Sequence, residues 1–315
     1  PFSMYINILG GVYIMLLDDS VKEFIFECQI RQYTWKTVKG YKNTLEYLAT
    51  YLKEVHHLTD IEQVNEHHLK AFFAYQINKK CKETYLNGLI KVYRAFYKYL
   101  VEQEYVVKNP ILKVSWMHEP TNIIKTFSDE EVKRMLNVYP ETDYLNIRNK
   151  AIIAMLFDTG IRNYELCCLP NDNIKDNYIA IYGKGKKERQ VGKSPYLSKI
   201  LMKYERVKKY YFEFKNVKLD NYFLSRTGRP LTNEAVGRIV HIAGEQAKVS
   251  DTIRCSPHTC RHWFAQSQIK NGIDVYSLSR LMGHSNIKIT QRYLEGMKDS
   301  EIVSQSIKTS PLMNL

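Results

Sequence analysis

The sequence predicts a mainly α protein carrying one small β-hairpin, an α+β chain in two domains. Three observations predict it. Apolar residues step by three and four through most of the 315 residues, which is the repeat of an amphipathic helix. One stretch, Asn177-Tyr-Ile-Ala-Ile-Tyr182, alternates and is β-branched as a strand is; Gly183-Lys184-Gly185 turns it, and Glu188 to Val191 returns as its partner. A polar, proline-bearing connector, residues 114–124, separates an N-terminal helical group, 18–113, from a larger segment, 125–296. A chain of this length can bury two cores.

Taken in order, residues 4–16 are apolar but split by Gly10-Gly11, and they are too short for a membrane span. No basic stretch precedes them, so no signal peptide is expected. The sequence starts at Pro1 rather than Met. Residues 1–17 therefore read as an N-terminal extension, foreign to the native chain at its beginning, with the native start expected at Met4 or Met15. A helix is expected over about 20–30. Val38, Tyr41, Leu45, Leu48, Leu52 and Val55 define a second helix, 66–77 a third, and Leu86, Leu89, Tyr93, Phe96 and Leu100 a fourth. Four such helices make a small bundle, and Asn109-Pro110 is expected to end the last of them.

Beyond the connector, Ser128 and Glu131 form a capping box, and Phe127 with Val132 a hydrophobic staple, so a helix and a new domain start there. Ala151 to Phe157 is apolar all round, as a buried helix is. Asp158-Thr159-Gly160 breaks it and Arg162 begins a short helix. Further helices are expected over about 195–213, 232–247, 258–271 and 274–282, with a tail helix near 297–307.

Lys plus Arg number 46 against 33 Asp plus Glu, a formal charge of +13 that suits a polyanion such as DNA or an acidic membrane surface. Basic residues sit on the faces opposite the apolar stripes: Lys36, Lys39, Lys42, Lys79, Lys80, Lys82, Lys91, Arg94 and Lys98. A solvated face is the ordinary role of such side chains. The six cysteines show no C-x-x-C pair and no secreted-type framework, so reduced thiols in the cytoplasm are expected.

The chemistry concentrates between Pro257 and Tyr293. His258 and Arg261 are three apart and share one helical face, with Pro257 suited to a helix start. Val275, Leu278 and Leu281-Met282 then lead to Gly283-His284, and nine residues beyond His284 comes Tyr293. All these polar groups can handle a phosphate. His258 and His262 are i,i+4, as on zinc-binding helices, with Cys260 and His284 near. Yet there is no H-E-x-x-H and no clustered carboxylate, so no metal is expected. Gly183-Lys-Gly-Lys-Lys is not a P-loop, so no nucleotide or other cofactor is expected either.

His258-Thr-Cys-Arg261-His262, then Leu281-Met-Gly-His284, then Tyr293, resembles the active-site half of the tyrosine recombinases, the phage integrase family. The family pattern is H-x-x-R-H, then L-G-H, then Tyr nine residues on. Its other half is an Arg box and a Lys in a β-turn. Thr159-Gly160-Ile161-Arg162-Asn163-Tyr164-Glu165-Leu166 and Gly183-Lys184-Gly185-Lys186-Lys187-Glu188-Arg189 are similar to these, in the right order. Met282 stands where the family usually has Leu, a volume-conserving change.

The resemblance implies a core-binding, SAM-like helical domain over 18–113 and a catalytic domain over 125–296. Together these would clamp double-stranded DNA at a recombination site, with a tail, 297–315, docking on a neighbouring protomer. Arg162 and Arg261 would hold the scissile phosphate and Glu165 would orient them. Lys184 would protonate the departing 5′-oxygen. His258 and His284 would hydrogen-bond the phosphoryl oxygens and help take the proton of Tyr293, the nucleophile. His262 would pack or support its neighbours. Lys36, Lys39, Lys42, Lys82, Lys91, Arg94, Lys98, Lys186, Lys187 and Arg189 become candidate DNA contacts. The partners implied are DNA sites, the chain itself as a tetramer, and accessory DNA-binding factors, with no membrane. The implied function is site-specific recombination through a 3′-phosphotyrosyl link and a Holliday junction. Its rivals are a type IB topoisomerase, which uses similar residues, and a DNA-binding module that has lost catalysis. With no arm-binding domain evident before residue 18, an Xer-like or mobile-element enzyme is expected.

Overall fold

The computed structural model describes residues 8–9, 12–13, 15–120, 124–182, 188–215, 217, 220–296, 303, 306–307, 310 and 312. The chain divides into two compact units, Pro1–Thr121 and Asn122–Leu315.

The first unit is a bundle of α1 (Leu17–Ile30), α2 (Trp35–His56), α3 (Glu66–Asn78) and α4 (Glu83–Glu102). Its core is the set the periodicity selects: Val38, Leu45, Leu48 and Leu52 from α2 and Leu86, Leu89, Tyr93, Phe96 and Leu100 from α4 are buried. Val55 is exposed, because it falls in the last turn of α2 where His57 takes the left-handed conformation and the chain leaves the bundle. Two short strands precede α1: β1 (Ile8–Leu9) pairs antiparallel with β2 (Val12–Tyr13). A Gly-Gly pair between apolar residues is a hairpin signal, which the reading of 4–16 as a broken apolar run passes over.

The end of α4 corrects the expectation for Asn109-Pro110. The helix closes at Glu102, where Glu104 takes a left-handed φ of 59° and the Tyr105 amide donates back to Leu100 O at 2.9 Å. Pro110 instead opens a 3-10 turn, Pro110–Lys113, whose Ile111 is buried in the bundle core with Val114. The connector also begins later than 114. The Arg94 guanidinium lies 4.4 Å from the Trp116 ring centroid and donates to Val114 O at 3.2 Å. The Asn87 side chain brackets Met117, accepting from its amide at 2.8 Å and donating to its carbonyl at 2.9 Å. Residues up to Met117 therefore belong to the first unit.

Tyr97 lies wholly inside this bundle, and its hydroxyl has no hydrogen-bond partner among the described residues. A buried hydroxyl without a partner loses its hydration for nothing. Tyr97→Phe should leave the fold intact and raise stability by about 1 kcal/mol in urea unfolding. A loss of that size would mean the hydroxyl is satisfied after all.

The second unit holds α5 (Asp129–Asn137), α6 (Tyr144–Thr159), α7 (Asn163–Cys167), β3 (Tyr178–Tyr182), β4 (Glu188–Gly192), α8 (Pro195–Phe212), α9 (Asn233–Gln246), α10 (Pro257–Lys270), α11 (Val275–Met282) and α12 (Lys288–Gln291). A 3-10 turn, Leu294–Gly296, follows Tyr293. Helix α6 is the central post: Ala151 to Phe157 are all buried, and α5, α8, α9 and α10 pack around it. The capping box forms as expected: the Ser128 amide donates to Glu131 Oε2 at 2.8 Å and the Glu131 amide to Ser128 Oγ at 3.2 Å. Strands β3 and β4 pair antiparallel, Tyr178 opposite Gly192 and Tyr182 opposite Glu188. The turn between them, with Lys184, Lys186 and Lys187, lies outside the described residues, as does most of the tail helix near 297–307. Among the described residues no helix is long and apolar enough to cross a membrane.

Candidate active site

Two glycines with left-handed backbones shape the site. Gly160 caps α6 with φ 59°, and a Cβ there would come within 2.3 Å of the Phe264 ring on α10. Glycine alone allows both the turn and the close approach. The turn delivers Arg162 to the N-cap of α7. Glu165, three residues on, reaches back to the Arg162 amide at 2.9 Å and to its Nη1 at 3.0 Å. From β4, Arg189 meets the same carboxylate with both terminal nitrogens, at 2.8 and 2.6 Å. The Glu165 and Arg189 side chains are only 7% and 10% exposed. Burial alone would raise the Glu165 pKa. The Arg189 hydrogen bond and charge, joined by the Arg162 amide and guanidinium, outweigh it and hold the carboxyl below its usual range.

Gly283 ends α11 in the same left-handed conformation, φ 63°. A helix C-terminus leaves carbonyls without intrahelical donors and carries partial negative charge. Here three consecutive carbonyls each take a different arginine. Leu281 O accepts from Arg189 Nε at 2.9 Å, Met282 O from Arg261 Nη2, and Gly283 O from Arg162 Nη2 at 2.7 Å. Arg261 also donates to Gly160 O at 2.5 Å, so it ties the two glycine turns together. Burial, then the neighbouring Arg162 and Arg189, brings its pKa down to about 9. The Arg162 side chain is 40% exposed and is the most open of the three.

The histidines divide into two roles. Arg261 Nη2 lies 3.2 Å from His284 Nε2. A guanidinium only donates, so Nε2 is the acceptor and the ring proton sits on Nδ1, 2.9 Å from the hydroxyl oxygen of the fully buried Thr290. Both His284 nitrogens are thus engaged. Burial and then the three arginines hold the ring's pKa at about 4, so it is neutral at pH 7. His258 stands exposed at the surface, with its ring edge-on to His262 at 4.3 Å. Its pKa is lowered by partial burial and then by Arg261 and Arg162. His262 Nδ1 lies 3.0 Å from the Tyr293 hydroxyl. Tyr293 is 4% exposed, packed with Phe264, Ala265, Ile269, Leu278 and Met282. Burial raises its pKa, against the lowering charges of Arg261, Arg292 and Arg162.

Arg162, Glu165, His258, Arg261, His262, His284 and Tyr293 therefore gather in one unit, as the boxes predict. Three of these residues have partners that the sequence does not announce. The Arg189 guanidinium, an expected DNA contact, is engaged by Glu165 and Leu281 O. Arg94 is likewise committed, to Trp116 and Val114 O. His262 does more than pack, since it is the histidine that touches the tyrosine oxygen. Thr290 is not among the residues the sequence singles out, because a threonine between motif residues carries no signal until its hydroxyl is seen on His284. Of the other expected DNA contacts, Lys36, Lys39, Lys82 and Lys91 are exposed; Lys42 and Lys98 are exposed and pair with Glu46 and Glu102 at 3.7 and 3.6 Å.

The sequence pattern of the phage integrase family matches residues 125–299, more than half of the chain. That of the phage integrase N-terminal SAM-like domain matches 22–104. The chain belongs to the phage integrase family of tyrosine recombinases. It is 30% identical over 282 residues to the tyrosine recombinase XerC of Bacillus pumilus, covering 88% of this chain and 92% of that protein. It is 31% identical over 272 residues to a tyrosine recombinase of Agathobacter rectalis, covering 82% and 85%. The fold is similar to that of the XerH recombinase bound to a palindromic difH substrate, with a TM-score of 0.73 and 17% identity over 91% of this chain and 83% of that one. It is also similar to the Tn1549 transposon integrase in complex with transposon right end DNA, with a TM-score of 0.70 and 18% identity over 94% of this chain and 100% of that one. The family's arginines and histidines thus fall, in this tyrosine recombinase, where the structure gathers the charge.

Proposed function

We propose that this chain is a site-specific recombinase that breaks and rejoins DNA through Tyr293. The observation that carries the reading is the meeting of Arg162, Arg261, His258 and His284 with a buried tyrosine in one unit. A phosphodiester under attack gathers charge on its non-bridging oxygens, and fixed cationic donors stabilise it most where water is excluded. Arg162 and Arg261 are such donors, held by Glu165 and the α11 carbonyls before substrate arrives. His258, at the surface, is placed to donate to a phosphoryl oxygen. Attack by the Tyr293 oxygen yields a 3′-phosphotyrosyl link and a free 5′-hydroxyl. The link conserves the phosphodiester bond, so rejoining needs no nucleotide. Lys184 is the proton donor to the departing 5′-oxygen.

In this reading the helical unit grips the DNA backbone through Lys36, Lys39, Lys82 and Lys91, with Lys42 and Lys98 beside them and Lys186 and Lys187 contributing from the hairpin turn. Four protomers act on two sites, pass through a Holliday junction, and work in the cytoplasm, where the six unbridged thiols stay reduced. The tail, 297–315, docks on a neighbouring protomer; the exposed apolar Val303 and Ile307 support this. The likeness to XerC favours an Xer-like recombinase, with a mobile-element enzyme as the other reading.

The test is a suicide DNA substrate that loses the cleaved end. The expected product is a detergent-stable adduct joined to the 3′ side of the break, formed equally in EDTA. Supplying a second duplex should give a strand-exchanged product. Adduct and supercoil relaxation without exchange would favour the topoisomerase reading. Binding without any adduct would favour an inactive module.

A further inference from the structure

We propose that His262 is the group that receives the phenolic proton of Tyr293 as its oxygen attacks the phosphate. The proposal rests on the reading of Tyr293 as the nucleophile. It moves the proton away from the two histidines to which the resemblance assigns it.

His284 cannot take the proton as it stands, because Nε2 accepts from Arg261 and Nδ1 faces Thr290. His258 makes no hydrogen bond to Tyr293 among the described residues; its ring pairs with that of His262 in a T-shaped contact. His262 Nδ1 is 3.0 Å from the tyrosine oxygen, within reach for direct proton transfer. That contact is the one hydrogen bond the Tyr293 hydroxyl makes among the described residues. Helix geometry fixes the arrangement: His262 is one turn beyond His258 on α10, and the turn after α12 brings Tyr293 against it.

The electrostatics agree. The groups that face His262 are His258 and Arg261 on its own helix and Arg292 beside Tyr293. Together with burial, the first cause, they hold its pKa at about 4. The ring is therefore neutral at pH 7 and carries one proton; with that proton on Nε2, Nδ1 accepts from the tyrosine hydroxyl. In the empty site it is a weak base. A bound phosphate brings negative charge among these cations, offsets them, and raises the basicity of His262. The tyrosine is thus activated only when DNA is in place.

The Tyr293 O–H bond breaks and its proton passes to His262 Nδ1. The tyrosine oxygen forms a bond to phosphorus, the P–O5′ bond breaks, and the 5′-oxygen takes a proton from a separate acid, the role given to Lys184. On rejoining, the imidazolium returns its proton to the tyrosine oxygen.

His262→Asn tests this, because the Asn side-chain oxygen can occupy the place of Nδ1 and accept the hydrogen bond but cannot hold the proton. DNA affinity should stay within about threefold. Single-turnover cleavage of the suicide substrate should fall by about 10²–10⁴-fold, the usual contribution of general base catalysis. The acidic limb of the wild-type pH–rate profile should disappear. In His258→Asn, by contrast, that limb should remain. Three results overturn the proposal: wild-type-like cleavage in His262→Asn, faster cleavage (the contact would then be a latch), or loss of the limb only in His258→Asn. A readout independent of any variant is the imidazole nitrogen shifts of the wild-type protein. They should show Nδ1 of His262 unprotonated at pH 7, and a protonated Nδ1 overturns the proposal too. A wild-type protein that forms no adduct on any substrate would instead sink the reading of Tyr293 itself.

Discussion

Tyr293→Phe should bind DNA as the wild type does and form no covalent adduct at all. The substitution removes one oxygen from a closely packed site. Phe keeps the ring against Phe264, Ile269, Leu278 and Met282, so the turn that carries it is preserved. The structural cost is one hydrogen bond, that to His262, or about 1 kcal/mol. On the proposed reading the catalytic cost is total, because Tyr293 alone supplies the attacking oxygen. A suicide-substrate assay with gel-shift controls reads both quantities. A detergent-stable adduct in Tyr293→Phe would show that another of the 24 tyrosines, or another nucleophile, attacks.

Glu165→Ala should be the most damaging change to the scaffold of the site. The carboxylate binds Arg189 through two hydrogen bonds, Arg162 through one more, and the Arg162 amide. Removing it leaves the Arg189 guanidinium, on a side chain 10% exposed, with a single carbonyl partner and no opposing charge. Breaking one side of a buried ion pair costs about 3–5 kcal/mol. For a unit of this size that corresponds to a fall in Tm of roughly 10 °C. Cleavage should fall as well, since Arg162 loses the group that aims it. Glu165→Gln, which keeps the shape and one acceptor, should cost less. A change below about 1 kcal/mol in Glu165→Ala would mean that Arg189 finds water or another anion, and that the pair is dispensable.

These two residues mark what the sequence could and could not determine. Local rules suffice for the elements. The step of three and four sets α2 and α4, Ser128 and Glu131 start α5, and the alternating 177–182 makes β3. Each depends on residues within one or two turns of each other, so spacing alone carries it. The motif residues are legible for the same reason, since each box is a short segment whose order along the chain is visible. The C-terminal end of α4 and the start of the connector are not legible in the sequence, because Glu104, a residue with no strong turn signal, takes the left-handed cap. Asn87 and Arg94 then recapture the chain about 20 to 30 residues later.

What only the tertiary structure decided is who meets whom inside the site. Arg189 looks, in sequence, like its neighbours Lys186 and Lys187, a cation near a turn. Only the return of β4 beside α7 places it on Glu165, 24 residues away. Leu281, Met282 and Gly283 read as an apolar run and a break. Their function is in their carbonyls, which side-chain patterns do not report, and which gather three arginines from α10, β4 and the turn before α7. His258, His262 and His284 are chemically identical in the sequence. The Arg261 donor and the Thr290 hydroxyl occupy the two ring nitrogens of His284, and the approach of Tyr293 gives His262 a different partner. Spacing sets which groups are present on a face. Long-range packing sets which lone pairs and protons are left free, and in this site that decides the chemistry.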